Sequence, residues 1–308
     1  MDLSWKYYLG LLIFLALSSD VFASEKKEKI LYEKNSLYQY IVVSEDPERN
    51  ERYVYNSKRD YVQGGISLVK PDSLLFEYPK ISFISLAFLD RKPEDVLFVG
   101  LGAGAMPRYF NRYYPDVNTE VVEIDPEMFD VAKKYFQFKE TPKIKVHIKD
   151  GRMFIKRAKK KCDMIFLDAY QSDYIPFHMT TIEFLREVKK ILKDGGVVVS
   201  NVTSPFKNKY YYSMIETYKK AFPHLYIFRA RNASNYVFIA TDSDEKLDED
   251  IIMKRAQRLQ DEMKFDISLI KTSYLYGYSD EFEWKGDILT DDFAPVNLYK
   301  HMRVREND

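Results

Sequence analysis

The stretch Asp95-Val-Leu-Phe-Val-Gly-Leu-Gly-Ala-Gly104 leaves few folds open to this chain. An apolar run of strand length stops at three glycines on alternate positions, Gly100, Gly102 and Gly104, and a helical segment from Met106 through Tyr114 follows. A strand, a glycine turn and a helix start in succession bring backbone N–H groups against a nucleotide-like ligand. The next strand, Thr119 to Ile124, carries Glu123 at its tip. A carboxylate there is placed to accept hydrogen bonds from a ribose diol. The glycines alone also suit a tight turn with no ligand; together with Glu123 they point to an adenosine-containing molecule.

Around this motif the pattern alternates. Strands are expected at 95–100, 119–124, 144–148, 162–168 and 196–201, with helical stretches between them, which implies a parallel sheet covered by helices on both faces. Leu225–Ala230 and Asn235–Thr241 are both β-rich and only four residues separate them, so a hairpin ends the sheet instead of another crossover helix. By fold-level analogy, an antiparallel pair closing a parallel sheet belongs to S-adenosylmethionine-dependent transferases and not to NAD-binding folds. The expected fold is therefore α/β, a methyltransferase-like (Rossmann-like) sheet with a closing antiparallel hairpin. Upstream, Ile30 to Ser67 alternates apolar and polar residues around the turn signal Asp46-Pro-Glu-Arg-Asn50 and reads as a small β-hairpin domain. Asp72 to Leu89 has helical periodicity, and 245–265 reads as a charged amphipathic helix. The expected divisions are 1–23, 24–70 (hairpin domain), 71–245 (catalytic domain) and 246–308 (helix and tail packed on it).

The N-terminus differs in kind. Lys6 precedes an apolar run, Tyr7 to Leu17, and Val21-Phe-Ala23 offers small residues at the positions a signal peptidase reads. The run is short for a membrane span. Export by a signal peptide cut after Ala23 is the expectation; the alternative is an anchor with a cytoplasmic catalytic domain, because Lys26, Lys27 and Lys29 follow the run. Lys+Arg and Asp+Glu both number 47, which argues against nucleic acid as a partner. The single Cys162 excludes a disulfide within these residues and reads as a small core residue; with four scattered histidines it leaves little for a metal site.

Further acids fall at strand ends. Asp150-Gly151 follows the third strand, where a carboxylate can accept from an adenine amino group or simply cap a helix. Asp168 ends the fourth strand in the crevice beside the first, and Asp173 lies five residues on in an aromatic loop with Tyr170. Thr180-Thr-Ile-Glu183 then opens a helix with a capping-box pattern. Asn201-Val-Thr203 and Asn232-Ala-Ser234 match a glycosylation sequon in unsuitable places, a buried strand end and a tight turn, and are read as coincidental.

Val96 to Asp173 resembles the spermidine and spermine synthase family, the aminopropyltransferases, and the likeness extends more loosely over about 30–240. Glu123-Ile-Asp125-Pro126 is similar to the family's ribose segment, Asp150-Gly151-Arg152 to its adenine segment, and Asp168 and Asp173 fall on its acidic pair. Leu289-Thr-Asp-Asp-Phe-Ala-Pro295 resembles the ending of membrane-fused bacterial homologues. The resemblance implies a decarboxylated S-adenosylmethionine donor held by Gly100, Gly102, Gly104, Glu123, Asp150 and Gly151. It implies a catalytic Asp168, acceptor contacts from Asp173, Gln63 and Tyr170, a small-molecule polyamine or other amine acceptor, no metal, and room for a homodimer. Making an amine of pKa about 10.4 neutral at pH 7 costs roughly 4–5 kcal/mol, work that suits a carboxylate at Asp168.

Two departures bear on specificity. Ala103 stands where polyamine synthases carry an aspartate that meets the donor's amine, so ordinary S-adenosylmethionine is better tolerated. Phe76-Glu77-Tyr78 replaces the family's Tyr-His-Glu. Three readings follow: an aminopropyltransferase; a methyltransferase or aminocarboxypropyltransferase using the ordinary donor; and a non-catalytic nucleoside- or polyamine-binding protein, favoured by the signal-like N-terminus. Glu123, Asp150 and Asp168 favour an enzyme.

Overall fold

A computed structural model of the protein describes residues 28–56, 61–169, 175–230, 234–273 and 286–292. The signal-like segment 1–23 and the site residues Tyr170 and Asp173 lie outside the described residues, as does Asn232. Among the described residues no helix is long and apolar enough to cross a membrane.

The alternating segment folds as an antiparallel sheet of β1 (Lys29–Asn35), β2 (Tyr40–Asp46), β3 (Glu51–Asn56) and β4 (Tyr61–Ser67), in that order. Asp46 makes the central turn by accepting from the N–H groups of Glu48 and Arg49 at 3.0 and 3.1 Å. Both faces of this sheet are covered. Ile41, Val43, Val54 and Ile66 pack against Ala103, Met128, Val131 and Phe136, while Val42, Tyr53 and Tyr55 meet Leu75 and Phe76 on the other side. The sheet therefore forms a wall against the glycine turn.

The connection departs from the expected helix over 72–89. Only α1 (Glu77–Ser82) is α-helical, and a 3₁₀ segment, Phe83–Phe88, follows. Pro79 explains the late start, because its ring would clash with the carbonyl of Leu75 in any helix that began earlier. The result holds Tyr78 in the first turn.

The second sheet has the strands β5 (Asp95–Val99), β6 (Asn118–Glu123), β7 (Ile144–Ile148), β8 (Cys162–Leu167), β9 (Leu192–Thr203), β10 (His224–Arg229) and β11 (Asn235–Thr241). Their spatial order is β10-β11-β9-β8-β5-β6-β7, and β11 runs antiparallel to both its neighbours, which is the expected closing hairpin. The crossovers carry α2 (Ala105–Tyr113), α3 (Pro126–Tyr135), α4 (Gly151–Arg157), α5 (Ile182–Lys190) and α6 (Tyr211–Ala221). The charged segment forms α7 (Glu249–Met263), and α8 (Leu269–Ser273) follows it. Alternate residues of the central strands feed two cores: Val96, Phe98, Met164 and Phe166 on one face, Leu97, Val99, Ile165 and Leu167 on the other. Cys162 is one of these core residues, and burial pushes its thiol up to about 12.

Strand order reverses between β5 and β8, so a crevice opens at their carboxyl ends. At the opposite ends a charged cluster locks the same two strands. Asp163, 1% exposed, accepts from Lys193 at 2.9 Å, from Arg91 at 3.0 Å and from the N–H groups of Glu94 and Asp95 at 2.9 and 3.0 Å. Burial alone would raise its carboxyl, but Lys193, those two N–H groups and Arg91 together hold it below the usual range. A depressed carboxylate stabilises the fold above the ordinary pKa near 3.8, and that stabilisation is lost as pH falls through its native value. Asp163→Asn is expected to cost about 2–4 kcal/mol at pH 7 and to lose less further stability on acidification than the native chain, measured by urea unfolding at pH 7 and pH 3.5.

Candidate active site

The three glycines of the opening motif do different things. Gly100 follows β5 with φ +101°, and a Cβ on it would come within 2.3 Å of the Asp168 carbonyl oxygen. Its N–H donates to Val122 at 2.8 Å, while the N–H of Asp168 donates to Val99 at 2.8 Å. The ends of β5, β6 and β8 are thus tied at one point. Gly104, with φ +71°, precedes α2, where a Cβ would strike the ring of Phe138 at 2.5 Å. Gly102, with φ +53°, has open space beside it among the described residues, where the one atom within 4 Å of a Cβ is the Gln63 carbonyl oxygen, at 3.6 Å. Gly102 is where a ligand can approach the backbone.

Glu123 ends β6 beside this turn and is buried. One carboxylate oxygen accepts from the N–H of Leu101 and the other from that of Asp125, both at 2.9 Å. Burial pushes its carboxyl up, and the two N–H groups oppose the rise. The carboxylate is oriented from behind and keeps acceptor capacity for a diol in the cleft.

Asp150 caps a helix, and its second oxygen is left on the cleft side. Its Oδ1 caps α4 by accepting from the N–H of Met153 at 2.7 Å, and its Oδ2 lies 3.7 Å from His178 Nε2 on the cleft wall. Gly151 is pressed onto β5, since a Cβ there would meet Val99 Cγ1 at 2.5 Å.

Asp168 stands at the tip of β8. Its Oδ1 accepts from Asn201 Nδ2 at 2.8 Å and its Oδ2 from the Tyr78 hydroxyl at 3.2 Å. Asn201 in turn accepts from Asn235 Nδ2 at 2.8 Å. Burial pushes the Asp168 carboxyl up to about 6, while Asn201 and Tyr78 act in the opposite direction. Across the cleft, Gln63 sits at an irregularity in the β3–β4 ladder, where Val54 pairs with Gly64 and Tyr55 with Val62. Its Nε2 donates to Gln39 at 2.8 Å.

Gly100, Gly102, Glu123, Asp150, Gly151, Asp168 and Gln63 all line one cavity of about 370 Å³, and Gly104 supports its turn from behind. Tyr78, Asn201 and Asn235 also line it, and the sequence reading missed all three as functional residues. Asn201 was visible only as a sequon. Tyr78 was visible as the last residue of a segment that departs from the Tyr-His-Glu pattern. Among the described residues no group of three or more His, Cys, Asp or Glu side chains is gathered to hold a metal ion.

The arrangement has two carboxylates, Glu123 and Asp150, at one part of the cavity and the raised carboxylate of Asp168 at another, with a glycine turn between. Comparison with known proteins agrees with it. A model of the spermine/spermidine synthase domain matches residues 82–249. A polyamine aminopropyltransferase of Vibrio vulnificus is 33% identical over 276 residues, covering 88% of this chain and 91% of the relative. Human methyltransferase-like protein 13, solved in complex with SAH, matches at 27% identity with a TM-score of 0.55, over 68% of this chain and 98% of that one. The spermidine synthase of Thermotoga maritima shares the fold at 17% identity with a TM-score of 0.65, over 82% of this chain and 85% of its own. With more than half of its length matched by the domain model and a full-length relative at one-third identity, the chain belongs to the spermine/spermidine synthase family.

Proposed function

We propose that the protein is an aminopropyltransferase that moves the aminopropyl group of decarboxylated S-adenosylmethionine onto an amine of a polyamine. The observation that carries this reading is Asp168, a carboxylate raised to about 6 and held by two neutral donors at the mouth of a nucleoside cleft. An incoming ammonium meets a full negative charge with no competing cation among its hydrogen-bond partners. The raised carboxyl also narrows the proton-affinity gap to an amine near 10.4 by about 3 kcal/mol relative to an ordinary aspartate.

In the reaction Asp168 takes a proton from the ammonium and leaves a nitrogen lone pair. That pair forms a bond to the propyl carbon beside the sulfonium as the C–S bond breaks. The electrons of the broken bond return to sulfur, which departs as a neutral thioether, and the proton on Asp168 passes to water. Glu123 and the open backbone at Gly102 would hold the nucleoside so that the carbon faces Asp168. Gln63 and Gln39 form the opposite wall, and Asp173 and Tyr170 belong to the acceptor side of this reading.

Use of ordinary S-adenosylmethionine, for methyl or aminocarboxypropyl transfer, is the second reading, and Ala103 favours it. This residue is buried beneath β4 and offers no carboxylate to repel a donor's carboxyl group. Calorimetric titration with the two donors separates the readings. At least tenfold tighter binding of the decarboxylated form is expected for an aminopropyltransferase, and equal or tighter binding of the ordinary form overturns that specificity.

Asp168 yields two further expectations. Its native pKa is raised, so the charged form is disfavoured in the fold: the contribution of Asp168 to stability is fully present below pH 4 and is lost as pH rises through about 6. Asp168→Asn keeps an acceptor for Asn201 and removes that charge. It is expected to lower kcat by at least 100-fold while sparing donor affinity, and to raise the unfolding temperature at pH 8 but not at pH 4. In the native enzyme kcat/KM is expected to gain an acidic limb near pH 6, and an unchanged profile in Asp168→Asn removes this residue from the mechanism.

A further inference from the structure

Residues 286–292 lie against α5 and α6, far in sequence from every residue assigned above. Leu289 is 2% exposed in the core beneath those helices. Its N–H donates to Thr217 Oγ1 at 3.0 Å, and its carbonyl accepts from the N–H of Ile182, the first residue of α5, at 2.8 Å. Gly286 is seated so closely that a Cβ would come within 2.5 Å of the Ser213 nitrogen. The segment is thereby fixed ahead of Asp291, at Gly286 and Leu289.

Asp291 takes the Arg152 guanidinium in a two-pronged grip, Nη1 to Oδ1 at 2.7 Å and Nη2 to Oδ2 at 2.6 Å. Thr181 Oγ1 also donates to its Oδ1, at 2.7 Å. The N–H of Asp291 donates to Glu183 Oε2 at 3.0 Å. The capping-box pattern over 180–183 is therefore used differently from expectation: Thr181 caps α5 by accepting from Phe184 N–H at 3.3 Å, and Glu183 serves the distant segment.

Arg152 is the link to the cleft. It directly follows Asp150-Gly151, and its other donors reach Glu187 Oε2 at 2.9 Å and the carbonyl of His178 at 2.8 Å. The imidazole of His178 lies 3.7 Å from Asp150, and both line the cleft. One guanidinium therefore ties the start of α4, next to Asp150, to the His178 segment that also lines the cleft, and Asp291 supplies a further carboxylate to it.

We propose that Asp291 is a positioning residue that clasps Arg152 and thereby sets the width of the nucleoside end of the cleft. This rests on the reading of that end as the adenine site. Without Asp291 the guanidinium keeps Glu187 but loses the bidentate partner that fixes its plane, and its hold on the His178 backbone slackens. The nucleoside then binds a wider, less ordered slot, while Asp168 and its partners at the other end are untouched.

The test is calorimetric titration of the full chain with 5′-methylthioadenosine, the thioether left when the aminopropyl group departs. Asp291→Asn, which breaks the charge pair and keeps the volume, is expected to weaken binding roughly tenfold. Asp291→Glu, which keeps the carboxylate, is expected to recover part of that loss, and Asp292→Asn, at the exposed neighbour, to bind as the native chain does. Native-like affinity in Asp291→Asn overturns the clasp while leaving the cleft reading intact. An equal loss in Asp292→Asn, or a loss that Asp291→Glu does not relieve, also overturns it. A native chain that binds no adenine nucleoside overturns the cleft reading and the clasp together.

Discussion

The constraint on which the site depends is between two backbones. At Gly100 the chain leaving β5 passes so near the carbonyl of Asp168 that no Cβ fits between them. The positive φ and the missing side chain are both required, and they make the glycine turn and the acid opposite sides of one narrow wall. Everything proposed for the site depends on that approach, because a reacting carbon has to lie between a group held by the turn and a nitrogen held by the acid. The charge cluster around Asp163 secures β5 and β8 at their other ends, so the register that places Gly100 against Asp168 is fixed from both directions.

The environment of Asp168 shows how a fold can keep a costly charge useful. A lysine or arginine beside it would satisfy the carboxylate and lower its pKa, and would repel an incoming ammonium. Tyr78 and Asn201 instead donate single neutral hydrogen bonds, which orient the carboxylate without cancelling it. Asn235 extends the chain of bonds into β11, and this gives the closing hairpin a part in the site beyond ending the sheet.

What the sequence made legible was what repeats locally. Apolar runs and helical periods located the strands of the second sheet to within a few residues, apart from the longer β9, the alternation over 30–67 marked hairpins without dividing them into strands, and the short spacing of β10 and β11 revealed their antiparallel pairing. Gly100, Glu123, Asp150 and Asp168 were legible because each falls at a strand end, where topology alone puts it in the crevice. Tyr78, Asn201 and Asn235 were not, because their role lies in contacts 33 to 90 residues away with no periodic trace. The expected helix over 72–89 failed for a local reason, the single ring of Pro79, which periodicity does not register. Glu183 misled in the opposite way: its local pattern was real, but a partner 108 residues distant took the carboxylate.

The N-terminal sheet decides more about the donor than its distance in sequence suggests. Gly64 on β4 lies so close to the turn that a Cβ there would come within 2.8 Å of the Ala103 Cβ. Ala103 also belongs to an apolar cluster with Ile41, Val43, Val54 and Met128. An acid at 103 would have to place its charge among these side chains, at a desolvation cost of several kcal/mol, or displace β4. The neutral residue at the centre of the turn is therefore bound up with the way the two sheets pack, and exchanging it alone would disturb that packing. With no carboxylate at 103, any selection for a decarboxylated donor in this chain has to arise from other groups along the cleft, where Gln63 donates to Gln39 and its backbone carbonyl faces Gly102.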